Sequence, residues 1–315
     1  MKPTAQPSIK RTFQPQFKIQ TLRRIVQLGF VGFIGVVTTR HILLGDTVAS
    51  AEAFCPFGGV ETLYSYLSGG RTINHTHLSN LVILLAVAAT ALVARGAFCG
   101  WICPLGTIQE WVHSLSRWMQ RRIPPLGRAL RAVNKRLNPR VRRDSYAGPT
   151  LGQRIDRVLS YGRYLVLAWI IGTTIVYGTM VFRDYDPWAA LLNLAELQFG
   201  VGSAVLVIAL ISTLFVERAW CRYACPLGAT VSLIGKFSPL RIERNATACT
   251  SCGLCSQRCP MGIDVARADA VSDLRCISCL RCVSECPRPA AIDMRLAVPV
   301  LTTANVTAPN PTSAD

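Results

Sequence analysis

The feature that most constrains this chain is a doubled cysteine pattern between Cys249 and Pro287. Its first half reads C-T-S-C-G-L-C-S-Q-R-C-P and its second half reads C-I-S-C-L-R-C-V-S-E-C-P. In such a pattern three closely spaced thiolates bind one iron–sulfur cubane, while the fourth binds the cubane of the other half. The spacing therefore predicts two [4Fe–4S] clusters. The first would be held by Cys249, Cys252, Cys255 and Cys286, and the second by Cys276, Cys279, Cys282 and Cys259.

Zinc and disulfides are the rival uses of this cysteine pattern. Zinc sites use paired C-x2-C units or histidine, and they give no reason for a fourth cysteine followed by proline in each half. A secreted disulfide scaffold would be short and soluble. The 13 cysteines of this 315-residue chain therefore indicate ligands in a reducing compartment.

Composition indicates a membrane protein. Half of the residues are hydrophobic, only 16% are charged and the mean hydropathy is +0.33, which is too apolar for an ordinary soluble chain. The net charge is nevertheless +17. The basic residues flank apolar runs and no nucleic-acid motif is present, so we expect a membrane partner and no nucleic acid.

Four apolar runs predict transmembrane helices, since each approaches the roughly 20 residues that cross a bilayer. They cover Ile25–Gly45, Leu81–Ala94, Tyr164–Phe182 and Phe199–Val216. The first run has an alternative as a cleaved signal peptide, because Ala49-Ser50-Ala51 resembles a cleavage site. The long basic leader and the late position of that site favour a retained helix.

The loops between these runs alternate in charge. Acidic residues predominate after the first run and between Arg183 and Leu197, whereas the stretch from Arg95 to Arg163 is rich in arginine. The positive-inside rule then predicts a multi-pass protein of the cytoplasmic (inner) membrane. Both termini and the cluster domain would lie in the cytoplasm, which is also the reducing compartment that the clusters require.

A short motif occurs twice, each time just after an apolar run. Residues 97–106 read A-F-C-G-W-I-C-P-L-G and residues 219–228 read A-W-C-R-Y-A-C-P-L-G. The repeat predicts two helix pairs related by an axis along the membrane normal. Its four cysteines, Cys99, Cys103, Cys221 and Cys225, would then converge on a shared metal site, with each i, i+4 pair on one helix face. The alternative is that each thiol only fills space in the core.

The segment from Ile108 to Ile123 has apolar residues at helical spacing, including Trp111 and Trp118. This pattern predicts an interfacial helix beside which a quinone could bind. Packing against the soluble domain is the alternative.

Several single residues stay open at this stage. Cys55 lies alone in the predicted outer loop, either without function or in contact with a cofactor or partner. Of the four histidines, only His41 lies near a predicted transmembrane run, so the sequence does not favour haem, whose axial ligands would face each other inside the bilayer.

The fold predicted from these patterns is an α-helical membrane protein with a C-terminal α+β two-cluster ferredoxin-like domain. Residues 1–24 would form a basic cytoplasmic leader and 25–235 a four-helix domain of two pseudo-repeated pairs. The ferredoxin domain would span 236–296, with a strand from Leu240 to Asn245 pairing with Ala291–Met294. Residues 297–315 are too poor in apolar side chains to fold alone.

This combination of motifs resembles the NapH-type polyferredoxins, the membrane subunits of quinol dehydrogenases, which are related to the membrane part of NosR. The resemblance covers about residues 25–295 and includes the C-P-M-G-I-D sequence at Cys259–Asp264. It implies quinol oxidation or electron relay to a redox partner, such as another iron–sulfur or flavin subunit. Copper reduction or delivery through the C-x3-C pairs, as in CcoG/RdxA-type proteins, is the alternative. Those relatives carry a large additional C-terminal domain, and the short stretch after Pro287 argues against that function.

Overall fold

The computed structural model describes residues 16–45, 78–123, 151–177, 181–195, 200–288 and 291–296, together with Gly59 and Pro125. The predicted leader up to residue 15, Cys55, His75, His77 and the tail 297–315 lie outside the described residues.

Four apolar helices correspond to the four predicted runs. They are α1 (Gln16–Leu44), α2 (Leu78–Ala94), α5 (Gly162–Tyr177) and α7 (Val201–Phe215). Helix α1 begins within the predicted basic leader, because Arg23 and Arg24 continue the helix instead of preceding it. Helix α5 ends at Tyr177, earlier than predicted.

The first and third of these helices are long and apolar enough to cross a membrane, over Ile19–Leu44 and Arg154–Tyr177. Helix α2 has 17 residues and α7 has 15, somewhat fewer than the roughly 20 that span a bilayer. A membrane protein is therefore indicated, and four crossings stay a prediction.

Helix α1 reverses the usual distribution of polar and apolar side chains. Its polar Arg23 and Gln27 are buried against the rest of the protein, with Arg23 only 2% exposed, whereas Leu22, Ile25 and Leu28 are exposed. Exposed apolar patches of this size mark a surface covered by another apolar phase. The outer surface of α1 is therefore suited to lipid.

Shorter helices connect the apolar ones. They are α3 (Pro104–Arg122), α4 (Leu151–Leu159), α6 (Pro187–Ala195), α8 (Ala219–Tyr223) and α9 (Pro226–Ile234). Helix α3 coincides with the predicted interfacial helix. Its polar face packs on α7, where Gln109 is 0% exposed, and Trp118 on the opposite face is 53% exposed. Packing on the soluble domain is therefore not its main contact.

The C-terminal region is a small α+β unit. Strands β1 (Leu240–Arg244) and β2 (Ile292–Leu296) pair antiparallel, with Ile242 opposite Met294, which confirms the predicted strand pair. Two short helices, α10 (Leu254–Gln257) and α11 (Arg281–Ser284), each carry one cysteine of the doubled pattern. The core of the unit is formed by Ile242, Met261, Val283 and Ile292 around the cysteines.

Candidate iron–sulfur and four-cysteine sites

The two cysteine loops of the C-terminal unit share one backbone design. In each loop the residues on both sides of the second cysteine are left-handed, Ser251 and Gly253 in the first and Ser278 and Leu280 in the second. Such residues are uncommon outside glycine, and here they curl the chain so that successive thiols turn toward one centre. A single helical turn then carries the third cysteine of each loop.

The thiols of Cys259, Cys276, Cys279 and Cys282 surround one cavity. Apolar side chains such as Ile242, Pro260 and Ile263 form the rest of its wall. Burial, followed by the neighbouring thiols of Cys279, Cys259 and Cys276, raises the pKa of Cys282. Four thiols around a dry cavity fit the donor set of a cubane.

The other set also comes together. Burial raises the pKa of Cys286, and the thiols of Cys252 and Cys249 add to the shift. Burial likewise raises the pKa of Cys255 to about 11, with contributions from Cys252 and Cys286. The fourth cysteine of the second half, Cys286, therefore interacts with thiols of the first half, and the ligand sets stay a prediction.

The two C-x3-C motifs also share one backbone turn. The amide of Cys103 donates to Phe98 O at 3.0 Å, and that of Cys225 donates to the equivalent Trp220 O at 2.9 Å. In both motifs the second cysteine is the N-cap of the following helix, which starts with proline. The i, i+4 argument predicted that the two cysteines of each motif share one helix face. That prediction is wrong, because a wide turn separates the two cysteines.

The four cysteines of these motifs are partly buried and lie near one another. After burial, the thiols of Cys221, Cys99 and Cys103 raise the pKa of Cys225. The halves are also joined directly, because Gln109 donates to Cys221 Sγ at 3.3 Å. The structure therefore brings the two cysteines of the first C-x3-C motif close to the two cysteines of the second. Among the described residues, no three His, Cys, Asp or Glu side chains form a group that could hold a metal ion, the ferredoxin cysteines included.

The second cysteine loop lies directly against the first C-x3-C motif. A Cβ on Gly100 would be 2.2 Å from Ile277 O, and one on Gly96 would be 2.6 Å from Cys276 O. Trp101 Nε1 donates to Ser278 O at 3.0 Å. The loop from Ile277 to Leu280 is buried by this contact, whereas Thr250 and Ser251 of the other cysteine loop are exposed. The cavity of Cys276–Cys282 therefore adjoins the first C-x3-C motif, and the loop of the other set has exposed residues.

A buried carboxylate, Glu110, joins the parts around this contact. Three guanidinium groups surround its Oε1, those of Arg23 at 2.5 Å, Arg218 at 2.9 Å and Arg281 at 3.8 Å. Burial would raise the pKa of Glu110, but the three arginines hold it at about 2. One carboxylate thus ties α1, both motifs and the ferredoxin unit together.

A second buried carboxylate, Asp156 of α4, lies on the other side. It accepts from Tyr223 Oη at 2.6 Å, and it pairs with Arg222 and with Arg275 at 3.3 Å. The sequence reasoning missed Glu110, Asp156, Arg218 and Arg222. The sequence offers one signal for these residues, because each is a charged residue within or beside a largely apolar segment.

The described histidines do not form a haem site. His113 is buried against α7 with Nδ1 2.9 Å from Thr213 O, and burial lowers its pKa. His41 lies in the last turn of α1.

Known families match the segments that carry these sites. A model described as "4Fe-4S binding domain" matches residues 76–124 and again 198–245, the two segments with C-x3-C motifs. A model described as "4Fe-4S dicluster domain" matches residues 241–287.

Relatives match most of the chain. The uncharacterized protein MJ0750 of Methanocaldococcus jannaschii is 30% identical over 87% of this chain and 94% of its own. The putative electron transport protein YccM of Escherichia coli is 28% identical over 79% of this chain, which spans 64% of YccM. The ferredoxin-type protein NapH of Haemophilus influenzae is 28% identical over 67% of each chain. No solved structure matches. With the cluster motifs, the duplicated C-x3-C segments and these relatives, the chain belongs to the NapH-type polyferredoxin family.

Proposed function

We propose that this iron–sulfur protein relays single electrons between the quinone pool and a redox partner protein. The observation that carries the proposal is the contact of the Cys276–Cys282 loop with the first C-x3-C motif. It brings one ferredoxin cluster site beside four partly buried cysteines that follow α2 and α7. When bound, the clusters supply one-electron chemistry, and the chain's own residues fix where the electrons enter and leave.

Two [4Fe–4S] clusters are held by the two sets of ferredoxin cysteines. The cavity lined by Cys259, Cys276, Cys279 and Cys282 and the grouping of Cys286 with Cys249 and Cys252 support these ligand sets. Iron analysis of anaerobically purified protein should give about eight irons per chain from these clusters. Zinc in place of iron would refute the assignment.

The four-cysteine site holds a further metal centre or cluster. The cross-motif bond from Gln109 to Cys221, the matching turns at Cys103 and Cys225 and the family model on both segments support it. These features also support a pseudo-twofold arrangement of two helix pairs. The double variant Cys103→Ser with Cys225→Ser should lose metal beyond the two ferredoxin clusters and should lose electron transfer. Under the packing alternative, wild-type protein would contain only the ferredoxin iron.

The four repeat cysteines would hold the first centre of the relay, the set of Cys276, Cys279, Cys282 and Cys259 would hold the middle cluster, and the set of Cys249, Cys252, Cys255 and Cys286 would hold the outermost cluster, from which a partner would take single electrons. The burial of Ile277–Leu280 and the exposure of Thr250 and Ser251 support this order. The exposed loop is the face on which a redox partner would dock. Substitution of Cys252 by serine should abolish reduction of the partner but leave reduction of the inner cluster intact, as measured by EPR.

A quinone enters beside α3. Trp111, Leu115 and Trp118 form an exposed stripe on α3, opposite the buried polar face of this helix. The stripe supports contact of α3 with lipid, where quinones reside. A quinol loses two electrons and two protons on oxidation. Reduced quinone analogues should therefore reduce the clusters of the native membrane complex in single-electron steps, and complete failure to do so would favour another donor.

The chain crosses the cytoplasmic membrane four times, with both termini and the ferredoxin unit in the cytoplasm. The apolar surfaces of α1 and α5 and the alternating loop charges support this topology. The contacts of Arg23 and Gln27 with Gly100 O support retention of α1 over cleavage. An impermeant thiol reagent on intact cells should label Cys55 and spare Cys276 and Cys279. Labelling of Cys276 or Cys279 from outside would mean that the topology is the reverse of the proposed one.

Copper handling is the alternative for the four thiols, which are soft ligands that suit cuprous ion. This alternative predicts that the purified protein contains copper, that the copper content falls when these cysteines are substituted, and that Cu(II) reoxidises the reduced protein. Anaerobic purification followed by metal analysis and identification of co-purifying partners separates the two functions.

A further inference from the structure

Arg218 occupies a position built to hold a buried guanidinium. It is 0% exposed, and its backbone is left-handed with φ of 55°. A left-handed residue that is not glycine costs of order 1–3 kcal/mol and persists only where packing enforces it. Gly106 of α3 leaves room for the side chain, because a Cβ there would lie 2.9 Å from Arg218 Nη1.

Two of the three guanidinium nitrogens have partners. Nε donates to Glu110 Oε1 at 2.9 Å, and Nη1 donates to Cys99 O at 2.5 Å. The third, Nη2, is buried and has no acceptor among the described residues. An unmade hydrogen bond on a buried charged group is costly, so this donor needs a partner that the described part of the chain does not provide.

The surroundings of Arg218 show where that partner lies. Burial alone would lower the pKa of Arg218, but Glu110 and then the thiols of Cys221, Cys103 and Cys279 raise it. Two of these thiols belong to the four-cysteine site, and Cys279 belongs to the adjoining ferredoxin cavity. The hydrogen bond from Nη1 to Cys99 O places the guanidinium beside the first C-x3-C motif, and Arg218 itself lies three residues before Cys221 of the second motif.

The charge of Arg218 is not cancelled by Glu110. That carboxylate is shared with Arg23 and Arg281, and Arg281 also pairs with Glu217 at 2.6 Å. The group thus contains three guanidiniums and two carboxylates, which leaves a net positive charge beside the thiols.

We propose that Arg218 is the resident cation of the four-cysteine centre, where its free Nη2 donates to a sulfur of the bound cluster. This inference rests on the proposed centre at Cys99, Cys103, Cys221 and Cys225. A nearby positive charge and a hydrogen bond to sulfur both favour the reduced form of a cluster, whose negative charge is larger. Arg218 therefore raises the reduction potential of this centre and, to a smaller extent, that of the Cys279 cluster.

The test compares the full-length wild-type protein with three variants, Arg218→Gln, Arg218→Lys and Arg23→Gln. Arg23 is the matched control, since it is a buried arginine on the same carboxylate and donates hydrogen bonds to Gly100, Gln20 and Glu110. Equilibrium redox titrations of anaerobically purified protein would be followed by EPR, with iron measured in each sample. The cluster of Cys249–Cys255, whose loop contains the exposed Thr250 and Ser251, serves as an internal reference.

We expect the four-cysteine centre of Arg218→Gln to titrate at a more negative potential than in wild type. The lysine variant should recover part of the shift. Arg23→Gln removes one charge from the same group but no donor to the cluster, so it should shift the potential less than Arg218→Gln does, and the reference cluster should not move. Loss of the extra centre in Arg218→Gln with retention in Arg218→Lys would equally support the charge role.

An unchanged potential in Arg218→Gln, an equal shift in Arg23→Gln, or loss of the centre in both Arg218 variants would overturn the inference. These outcomes differ from failure of the proposed centre itself, because wild-type protein without an extra centre removes the parent proposal before any variant is compared.

Discussion

The two C-x3-C motifs have the same backbone turn but different residues at its outer positions. Where the first motif has Gly96 and Gly100, the second has Arg218 and Arg222. The glycines let the backbone of the ferredoxin loop approach to contact distance. The arginines instead reach Glu110 and Asp156. A duplicated unit has thus been divided into a docking half and a charge-bearing half, with the shared turn kept for the cysteines.

The largest expected effect comes from Glu110→Gln, because it leaves the buried Arg23 and Arg218 and the partly buried Arg281 without their common carboxylate. Breaking a buried ion pair from one side costs about 3–5 kcal/mol, and we expect a loss of this size in unfolding measurements in detergent. The equivalent position of the second repeat is Ser232, whose hydroxyl bonds Ala229 O at 2.7 Å. Ser232→Ala, as the control, should cost only about 1 kcal/mol. Equal losses would mean that Glu110 has no special part in joining the units.

The pH dependence of that comparison follows from the pKa of Glu110, which is lowered from 4.5 to about 2. A carboxyl group whose pKa is lower in the folded than in the unfolded protein stabilises the fold at pH values above its unfolded-state pKa. This contribution is lost as the pH falls through its folded-state pKa. The difference between wild type and Glu110→Gln should therefore be constant above about pH 5 and should shrink below it. A difference that grows on acidification would contradict this assignment.

A smaller effect is expected for Gly100→Ala. The added Cβ meets Ile277 O, a backbone atom that cannot turn aside, and overpacking of this kind costs about 1–3 kcal/mol. Hydrogen exchange at Ile277–Leu280 should quicken as the loop separates from the motif. Gly172→Ala in α5 is the control, because nothing lies within 4 Å of its added Cβ, and it should leave exchange at this loop unchanged.

The smallest expected effect is a difference in stability between alanine variants at the two P-L-G glycines, Gly106 and Gly228. Gly106→Ala pushes on the guanidinium of Arg218 and should cost about 1 kcal/mol. The Cβ of Gly228→Ala would lie 3.5 Å from Cys221 O, an ordinary contact. This variant should be neutral or slightly stabilising, since alanine favours helix. Thermal unfolding of both variants checks the asymmetry, and equal costs would contradict it.

The sequence predicts the parts of this fold that follow local rules. The alternation L-R-I-E-R predicts β1, which the structure confirms. The doubled cysteine spacing assigns Cys286 to the first set and Cys259 to the second, and that assignment stays a prediction. The apolar periodicity of Ile108–Ile123 located α3 but not the reason for its polar face. That face packs on α7 through Gln109 and Ser116, and such a partner cannot be read from one segment.

The charge network was missed for the same physical reason. Glu110 was assigned to the polar side of an interfacial helix, where solvent would have screened it. Its arginine partners come from positions 23, 218 and 281, and long-range pairing of this kind leaves no local pattern. The wide turns at Cys103 and Cys225 were also missed, because a C-x3-C spacing fits a continuous helix equally well.

The hydrogen bond from Gln20 to Cys279 O joins residues 259 positions apart. During synthesis α1 emerges first and the loop that it touches emerges among the last segments. Arg23 and Gln20 must therefore stay available until the ferredoxin unit has been made. Since Ile277–Leu280 are buried in the docked unit, we expect iron and sulfide to reach the Cys276–Cys282 cavity before the unit closes on α1. We therefore expect maturation to proceed with translation first, cluster insertion second and docking last.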